Sequence, residues 1–256
     1  MRILVTNDDG IHAPGLDACA RIAAALSDDV WVVAPETDQS GVAHSLSLND
    51  PLRLRQVGER RYAVKGTPTD CVIMAVRHLL IDNPPDLVLS GVNRGQNIAE
   101  DVSYSGTVAA AIEGTILGIP SIALSQSFGP ATRDNPTYAT AEAHGPKVVR
   151  TLLDEGIPAG ILVNVNFPDR LPDQVAGIAV TAQGRRDQKL MRIEPRKDGR
   201  GNDYFWIAFE RRTSPTSPGS DVRALEEGRI SVTPLRVEQT DEPLMTRLAQ
   251  VFEGVK

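Results

Sequence analysis

The chain has 256 residues, of which 41% are hydrophobic and 23% are charged, and its formal net charge at pH 7 is -6. This length favours one large domain, or a domain with an extension. The negative charge argues against general binding to nucleic-acid polymers or to anionic membranes, so we expect neither as a partner.

Composition along the chain also bears on its location. No segment has the roughly 18 consecutive apolar residues of a membrane span. The first apolar run is short and is followed directly by two aspartates, which is not typical of the apolar core of a secretory signal peptide. Cys19 and Cys71 lie in apolar, helix-like stretches without metal-ligand spacing, and we expect both to be reduced core residues. These observations predict a cytoplasmic protein.

Short apolar runs rich in Val, Ile and Leu alternate with helical patterns from the first residues onward. The predicted strands are residues 2–6, 30–34, 86–90 and 120–124, and the predicted helices are residues 15–26, 68–81 and 105–117. The second helix opens with Thr67 as its capping residue and Pro68 at its first position. Strands that alternate with helices predict an α/β fold with a mostly parallel sheet in a Rossmann-like, three-layer α/β/α core.

Further elements follow in chain order. Evenly spaced leucines within residues 46–65 predict a hairpin attached to the sheet, and a helix near residues 137–155 precedes a strand at residues 161–165. We place the catalytic core at residues 1–181. Residues 182–256 are predicted to form a hairpin excursion, a returning strand and a terminal helix, and not an independent domain.

Within this C-terminal part, the predicted strands are residues 204–209 and 229–235, and the predicted helix spans residues 242–252. The basic stretch at residues 185–200 could contact phosphates or a neighbouring subunit, and we interpret it as a solvated loop.

Two adjacent aspartates, Asp8 and Asp9, directly follow the first strand, where open α/β sheets place their ligands. The motif Asn7-Asp8-Asp9-Gly10 is also ordinary turn chemistry, and taken alone it leaves a turn and a metal site equally open. Two carboxylates held close repel each other unless they share a cation or a proton, which favours a hard metal such as Mg²⁺ or Mn²⁺.

Two more polar loops are predicted at the same edge of the sheet. Ser40 lies in the loop after the second strand, and its hydroxyl could complete a metal shell. In the loop after residue 90, two glycines alternate with Asn93 and Asn97, and asparagine oxygens are acceptable ligands for hard cations. An ordinary Gly/Asn connection remains the alternative for this loop.

The helix at residues 105–117 opens with Ser105, Gly106 and Thr107. The unpaired N–H groups of such a first turn, together with two hydroxyls, predict a site for phosphate. A simple N-cap would explain Ser105 alone, but not its occurrence with three polar loops at one edge.

The four histidines divide into two pairs. His12 and His44 flank the acidic and serine loops, and either could protonate a leaving nucleoside oxygen, although a histidine near a site is more often a bystander. His78 and His144 lie within helical patterns and are interpreted as structural.

These motifs together resemble those of the SurE family of survival protein E nucleotidases. The matching segments are Asn7-Asp8-Asp9-Gly10, Gln39-Ser40-Gly41, Ser90 to Asn97, and Tyr104-Ser105-Gly106-Thr107, with further matches at Thr67 to Cys71, Asn164 to Pro168 and Asp221 to Leu235. The resemblance covers essentially the whole chain, and its several parts occur in the order of the family.

The resemblance implies a nucleotidase that removes phosphate from 5′- or 3′-nucleoside monophosphates, with short-chain polyphosphate as a substrate of some members. It implies one divalent metal ion per subunit, Mg²⁺ or Mn²⁺, and a homodimer or homotetramer with C-terminal parts packed between subunits. By resemblance, the metal ligands are Asp8, Asp9, Ser40 and Asn93, and the phosphate-binding residues are Asn97, Ser105, Gly106 and Thr107.

For the reaction, we expect a metal-activated water, with Asp8 or Asp9 as the catalytic residue that orients or deprotonates it. Attack by an aspartate on phosphorus is the second possibility. A nucleotide-binding regulatory module without hydrolysis is the alternative function. A dehydrogenase is disfavoured because no Gly-x-Gly-x-x-Gly follows the first strand.

Overall fold

The computed structural model describes residues 1–185, 191–209 and 216–253. The strands are β1 (Arg2–Thr6), β2 (Asp29–Pro35), β3 (Arg53–Gly58), β4 (Arg61–Lys65), β5 (Leu87–Arg94), β6 (Ser121–Gln126), β7 (Ile161–Phe167), β8 (Ile178–Val180), β9 (Met191–Lys197), β10 (Asp203–Phe209) and β11 (Ile230–Arg236). The α-helices are α1 (Pro14–Ala24), α2 (Pro68–Met74), α3 (Gly106–Ile116), α4 (Ala139–Glu155), α5 (Asp221–Glu226) and α6 (Glu242–Glu253).

Nine strands form the central sheet, in the order β3-β4-β2-β1-β5-β6-β7-β11-β8. The six strands from β4 to β7 are parallel to their neighbours, whereas β3 and β11 pair antiparallel with β4 and β7. The expected mostly parallel sheet is therefore confirmed, and the carboxyl ends of β1, β2 and β5 lie side by side at one edge.

Helices cover both faces of the sheet, which gives the three predicted layers. Successive side chains of a strand point to opposite faces. Ile3 and Val5 of β1 accordingly pack with α1 and α4 in one apolar cluster, and Leu4 packs with α2 in another. Cys19 and Cys71 are free and buried in these two clusters, as expected.

The second helix begins as predicted but ends earlier. Thr67 and Asp70 form a reciprocal capping box, and Pro68 occupies the first turn of α2. The α-helix ends at Met74 and continues as a π-helical turn over Ala75–Leu79. The segment predicted as helical over residues 68–81 is therefore helical to Leu79, but its second half is π-helical.

The hairpin predicted at residues 46–65 is also shorter than expected. Only β3 and β4 form it, whereas residues 46–52 contain no strand. Leu52 and Leu54 pack against the cluster below α2, but Leu48 is 83% exposed. Some of the evenly spaced leucines therefore lie in an irregular loop and not in a strand.

The C-terminal part contains an excursion and a return. Strands β9 and β10 form a separate antiparallel hairpin, and β11 then enters the central sheet between β7 and β8. The basic stretch predicted to be a loop is thus partly strand β9, while its residues 186–190 lie outside the described residues. Within the described parts of the chain, no helix has the length and apolar character needed to cross a membrane.

Asp221 ties this C-terminal part to the loop that follows β5. Its carboxylate is fully buried and accepts hydrogen bonds from the backbone N–H groups of Ala99, Gly184 and Val222, at 2.9, 2.8 and 2.7 Å. Gln183 also donates to the Ala99 carbonyl, at 2.8 Å. The returning segment therefore fixes the end of the loop after β5, which carries Asn97.

We expect Asp221→Ala to lower the free energy of unfolding by about 2–4 kcal/mol, because three buried N–H groups lose their acceptor. Urea denaturation measures the change. Asp221→Asn retains an acceptor for Gly184 and Val222 and should cost less. Equal stability of Asp221→Ala and the wild type would show that the contacts contribute nothing.

Candidate active site

Three loops and one helix terminus meet at the carboxyl edge of the sheet. The loops follow β1, β2 and β5, and the helix is α3. In parallel α/β sheets this edge is the usual position of ligand sites. The fold thus brings the loops of Asp8 and Ser40 to the helix that opens at Ser105. Asn93, expected in a loop after residue 90, instead lies near the carboxyl end of β5.

The loop after β1 is a tight turn shaped by Asn7. Its Nδ2 donates to the Gly10 carbonyl at 3.0 Å, and its Oδ1 accepts from the Gly10 N–H at 3.3 Å. Gly10 has φ +102°, and a Cβ there would lie 3.2 Å from the Thr37 carbonyl carbon. The turn residues anticipated from sequence therefore form a turn, and the turn displays the two aspartates.

Asp8 is 4% exposed and faces the first turn of α3. The Thr107 hydroxyl donates to its Oδ1, and a Cβ at Gly106 would lie only 2.7 Å from the Asp8 Cβ. The Asp8 carbonyl accepts from the Gln39 N–H at 2.8 Å, which joins the first loop to the second. Gly106 is therefore required for the close approach of the helix to this carboxylate.

Burial and like charge make the acidic pair costly to ionise without a cation. Burial, and then the charge of Asp9, raise the pKa of Asp8 to about 7, against the lowering effect of the Thr107 hydrogen bond. Burial raises the pKa of Asp9 to about 6, opposed by the Arg94 N–H, which donates to it at 3.1 Å. A bound cation would relieve both costs.

Asp38 is a third acid in this region, and the sequence reasoning missed it. Its charge adds to the raised pKa of both Asp8 and Asp9. Its Oδ1 also accepts from the N–H and the hydroxyl of Ser40, at 2.8 and 2.6 Å. The Asp-x-Ser spacing could have indicated this contact, because Asp and Ser side chains often hydrogen-bond to the backbone two residues further along the chain.

The proposed metal ligands are all oxygen donors. The Asn93 side-chain nitrogen donates to the Gly95 carbonyl at 2.9 Å. The side-chain oxygen of Asn93 lies on the opposite side of the same amide group. Among the described residues, no group of three or more His, Cys, Asp or Glu side chains converges on one point. A site here would therefore combine two carboxylates with neutral hydroxyl and amide oxygens, a set that suits Mg²⁺ or Mn²⁺.

The opening turn of α3 suits an anion. Ser105 is the N-cap, and its Oγ accepts from the Val108 N–H at 3.1 Å. The N–H groups of Gly106 and Thr107 belong to the first turn, where helices leave donors without intrahelical partners. The Thr107 side chain is committed to Asp8, so its backbone N–H is the group suited to phosphate.

Asn97 lies in a buried amide network. Its Nδ2 donates to the Ser125 hydroxyl at 2.9 Å, and its N–H donates to Asn166 Oδ1 at 2.8 Å. Asn164 and Asn166 both donate to its carbonyl, at 2.8 and 3.1 Å. The network holds Asn97 rigidly, and its role in phosphate binding stays a prediction.

The histidines differ in their surroundings. His12 and His78 are exposed, whereas His44 Nε2 lies 2.9 Å from a carboxylate oxygen of Glu113. His144 Nε2 lies 2.9 Å from the Pro172 carbonyl oxygen, in keeping with a structural role.

Tyr138 is a further neighbour that the sequence did not indicate. Burial, and then the charge of Asp9, raise the pKa of its phenol to about 12. Tyr138 precedes α4, far along the chain from Asp9, and no local motif marks it.

The comparisons with known proteins agree on one family. The model for "Survival protein SurE" matches residues 3–190. The chain is 90% identical to the 5′-nucleotidase SurE of Azorhizobium caulinodans, over 99% of this chain and 100% of that protein. It is 66% identical to the 5′-nucleotidase SurE of Methylorubrum extorquens, with the same coverage.

A solved structure agrees with this result. The crystal structure of the SurE protein from Aquifex aeolicus matches with a TM-score of 0.85 and 40% identity, covering 98% of this chain and 99% of that chain. The chain therefore belongs to the SurE family, which confirms the resemblance found in its motifs.

We expect Asp8→Asn to stabilise the metal-free protein at pH 8 by about 1–3 kcal/mol. The folded-state pKa of Asp8, about 7, lies well above the ordinary value of an aspartate. Between these two values the folded chain holds a proton that the unfolded chain has released. This stabilisation is lost as pH rises through 7, so at pH 8 the ionised, buried Asp8 destabilises the fold. The difference should shrink at pH 5.

Urea denaturation with EDTA at both pH values measures this effect, and Asp82→Asn, an exposed aspartate, is the matched control. Addition of Mn²⁺ should favour the wild type instead. A metal-free Asp8→Asn variant less stable than wild type at pH 8 would refute the proposed repulsion.

Proposed function

We propose that this member of the SurE family is a metal-dependent phosphoric monoester hydrolase that converts nucleoside 5′-monophosphates to nucleoside and phosphate. The contact of Thr107 and Gly106 with Asp8 carries the proposal, because it sets an anion-binding helix turn directly against the acidic pair. The relatives that are 90% and 66% identical are 5′-nucleotidases, which supports it.

The residues that would hold one divalent cation, Mg²⁺ or Mn²⁺, are Asp8, Asp9, Ser40 and Asn93. When bound, such a cation polarises a phosphate oxygen and lowers the pKa of a coordinated water. Two carboxylates that are costly to ionise alone, with neutral oxygens on neighbouring loops, suit this role.

The chain's own donors would bind the phosphate. The N–H groups of Gly106 and Thr107 point their partial positive charge at an anion, and the Ser105 hydroxyl retains its proton for a phosphate oxygen. Asn97 would add its amide from the adjacent network. These donors hold the phosphorus beside the carboxylates, so positioning contributes directly to the rate.

The aspartates would then orient the attacking water. One oxygen of Asp8 is committed to Thr107, and one oxygen of Asp9 accepts the Arg94 N–H. Each carboxylate therefore keeps its second oxygen for the cation or the water. We include 3′-nucleotides and short-chain polyphosphate as further substrates, since the donors contact phosphate and not the sugar.

We also propose that two exposed apolar surfaces join copies of the chain into a homodimer or homotetramer. Phe205 and Trp206 are adjacent on β10 and are 62% and 61% exposed, so both faces of the hairpin are uncovered. Leu244, Leu248 and Val251 are exposed on α6. Contiguous apolar patches of this kind mark protein interfaces. The free, buried cysteines accord with the cytoplasmic location that we propose.

Substitution of either aspartate tests the activity. With saturating Mn²⁺, we expect Asp8→Asn and Asp9→Asn to lower kcat for AMP hydrolysis at least about 100-fold, because electrostatic stabilisation is usually the largest catalytic contribution. Phosphate release is the measurement, and EDTA should abolish it in the wild type. Asp82→Asn is the matched control. Wild-type turnover by both variants would exclude the metal site.

Failure of the wild type to release phosphate while it still binds AMP would favour the regulatory-module alternative. ITC with AMP distinguishes that outcome from a protein that does not recognise nucleotides at all.

The oligomer is tested by Phe205→Ser combined with Trp206→Ser. We expect sedimentation velocity to show the wild type as a dimer or tetramer and the variant shifted toward monomer, because the substitutions remove apolar area from the proposed interface. Thr246→Ser, a conservative change on α6, is the control. A monomeric wild type at micromolar concentration would contradict the proposed assembly.

A further inference from the structure

A cavity of about 700 Å³ lies along one flank of α3. Its apolar wall includes Val108, Ala109 and Ile112, and its polar lining includes His44, Ser105 and Gln183. Mononucleotide-sized ligands bind in concave sites of this volume, with mostly apolar walls and a few polar groups.

The position of the cavity follows from the two faces of α3. Thr107, Ala110 and Ala111 are buried on the flank away from the cavity. Val108 and Ala109 are also buried, whereas Ile112 is partly exposed. The residues at 105, 108, 109 and 112 repeat every three or four positions and share the other flank. Ser105 therefore belongs both to the phosphate-binding turn and to the wall of the cavity. An ester group attached to a phosphate at that turn has the cavity beside it.

Glu113 lies two turns along α3 from Ser105, about 12 Å at the rise of an α-helix. It is 8% exposed, and one carboxylate oxygen lies 2.9 Å from His44 Nε2. A buried carboxylate is stabilised only when it is paired or hydrogen-bonded. Glu113 thus fixes the imidazole by one nitrogen and leaves Nδ1 for another partner.

The loop that carries His44 is fixed independently. The Ala43 N–H donates to the Tyr104 carbonyl at 3.2 Å, and the Ser45 carbonyl accepts from the Thr67 hydroxyl at 2.8 Å. These bonds hold the residues on both sides of His44. The loop is therefore held by contacts that do not involve the imidazole.

The lining matches the chemistry of a nucleoside. A purine or pyrimidine has an apolar ring face, which the Ile112 and Ile116 side chains can contact. Its ring nitrogens and the ribose hydroxyls require hydrogen-bonding partners, which His44 and Gln183 can supply. The Gln183 amide nitrogen donates to Ala99, so its amide oxygen is the remaining acceptor.

We propose, resting on the function proposed above, that this cavity is the nucleoside subsite and that His44, oriented by Glu113, contacts the nucleoside by hydrogen bonding. In this role His44 determines specificity, favouring nucleoside monophosphates over other small phosphate esters. Glu113 is a positioning residue that acts through His44.

The test compares AMP with phenyl phosphate, whose ring can contact the apolar wall but has no hydroxyl or ring nitrogen for His44. With Mn²⁺ saturating, His44→Ala should lower kcat/KM for AMP roughly 10- to 30-fold, mainly through KM, because the site loses a substrate hydrogen bond. The value for phenyl phosphate should stay within about 2-fold. Glu113→Gln should show the same selectivity, and His78→Ala, an exposed histidine on the π-helical turn after α2, is the control.

Equal losses for both substrates would overturn the proposal, since His44 would then support only the shared phosphate and metal site. Binding of adenosine, measured by ITC without metal, gives a second readout that does not depend on turnover. We expect wild type to bind adenosine and His44→Ala to bind it at least about 10-fold more weakly. Equal binding by both proteins would also overturn the subsite.

Failure of the proposed function gives a different result from failure of the proposed subsite. A wild type that hydrolyses neither ester but binds adenosine through His44 would lack the activity and keep the subsite.

Discussion

The repulsion between two adjacent carboxylates is the constraint on which this site depends. Asp8 is almost fully buried beside Asp9, and the protein offsets part of the cost with the Thr107 hydroxyl and the Arg94 N–H. These neutral donors do not cancel the charge, because both pKa values remain raised. The remaining excess of negative charge is what a divalent cation would offset.

The sheet order makes this arrangement possible. β1 lies between β2 and β5, so the three loops at their carboxyl ends are neighbours although they are distant in sequence. α3 then packs against the same edge, and Gly106 allows its first turn to reach Asp8. Asp221, from the returning C-terminal segment, secures the loop after β5. Distant parts of the chain therefore stabilise one small polar region.

Local patterns predicted much of this organisation. Apolar runs and caps located most core elements, and Asp8, Ser105 and Thr107 were recognised from their place at strand and helix ends. The contact of Thr107 with Asp8, the proximity of Tyr138 to Asp9 and the pairing of His44 with Glu113 could not be predicted, because each joins residues far apart in sequence. Exposed leucines such as Leu48 misled the strand prediction because spacing alone does not report burial.

The acidic pair, the first turn of α3 and the cavity along α3 together form the proposed path for a nucleotide. Centrally, we propose that Asp8 and Asp9 share a divalent cation with Ser40 and Asn93. Anomalous diffraction from crystals soaked in Mn²⁺ tests this claim most directly. We predict one peak about 2.1 Å from oxygens of both carboxylates, with the Ser40 hydroxyl and Asn93 amide oxygens as further ligands. A peak elsewhere, or none at saturating Mn²⁺, would contradict it.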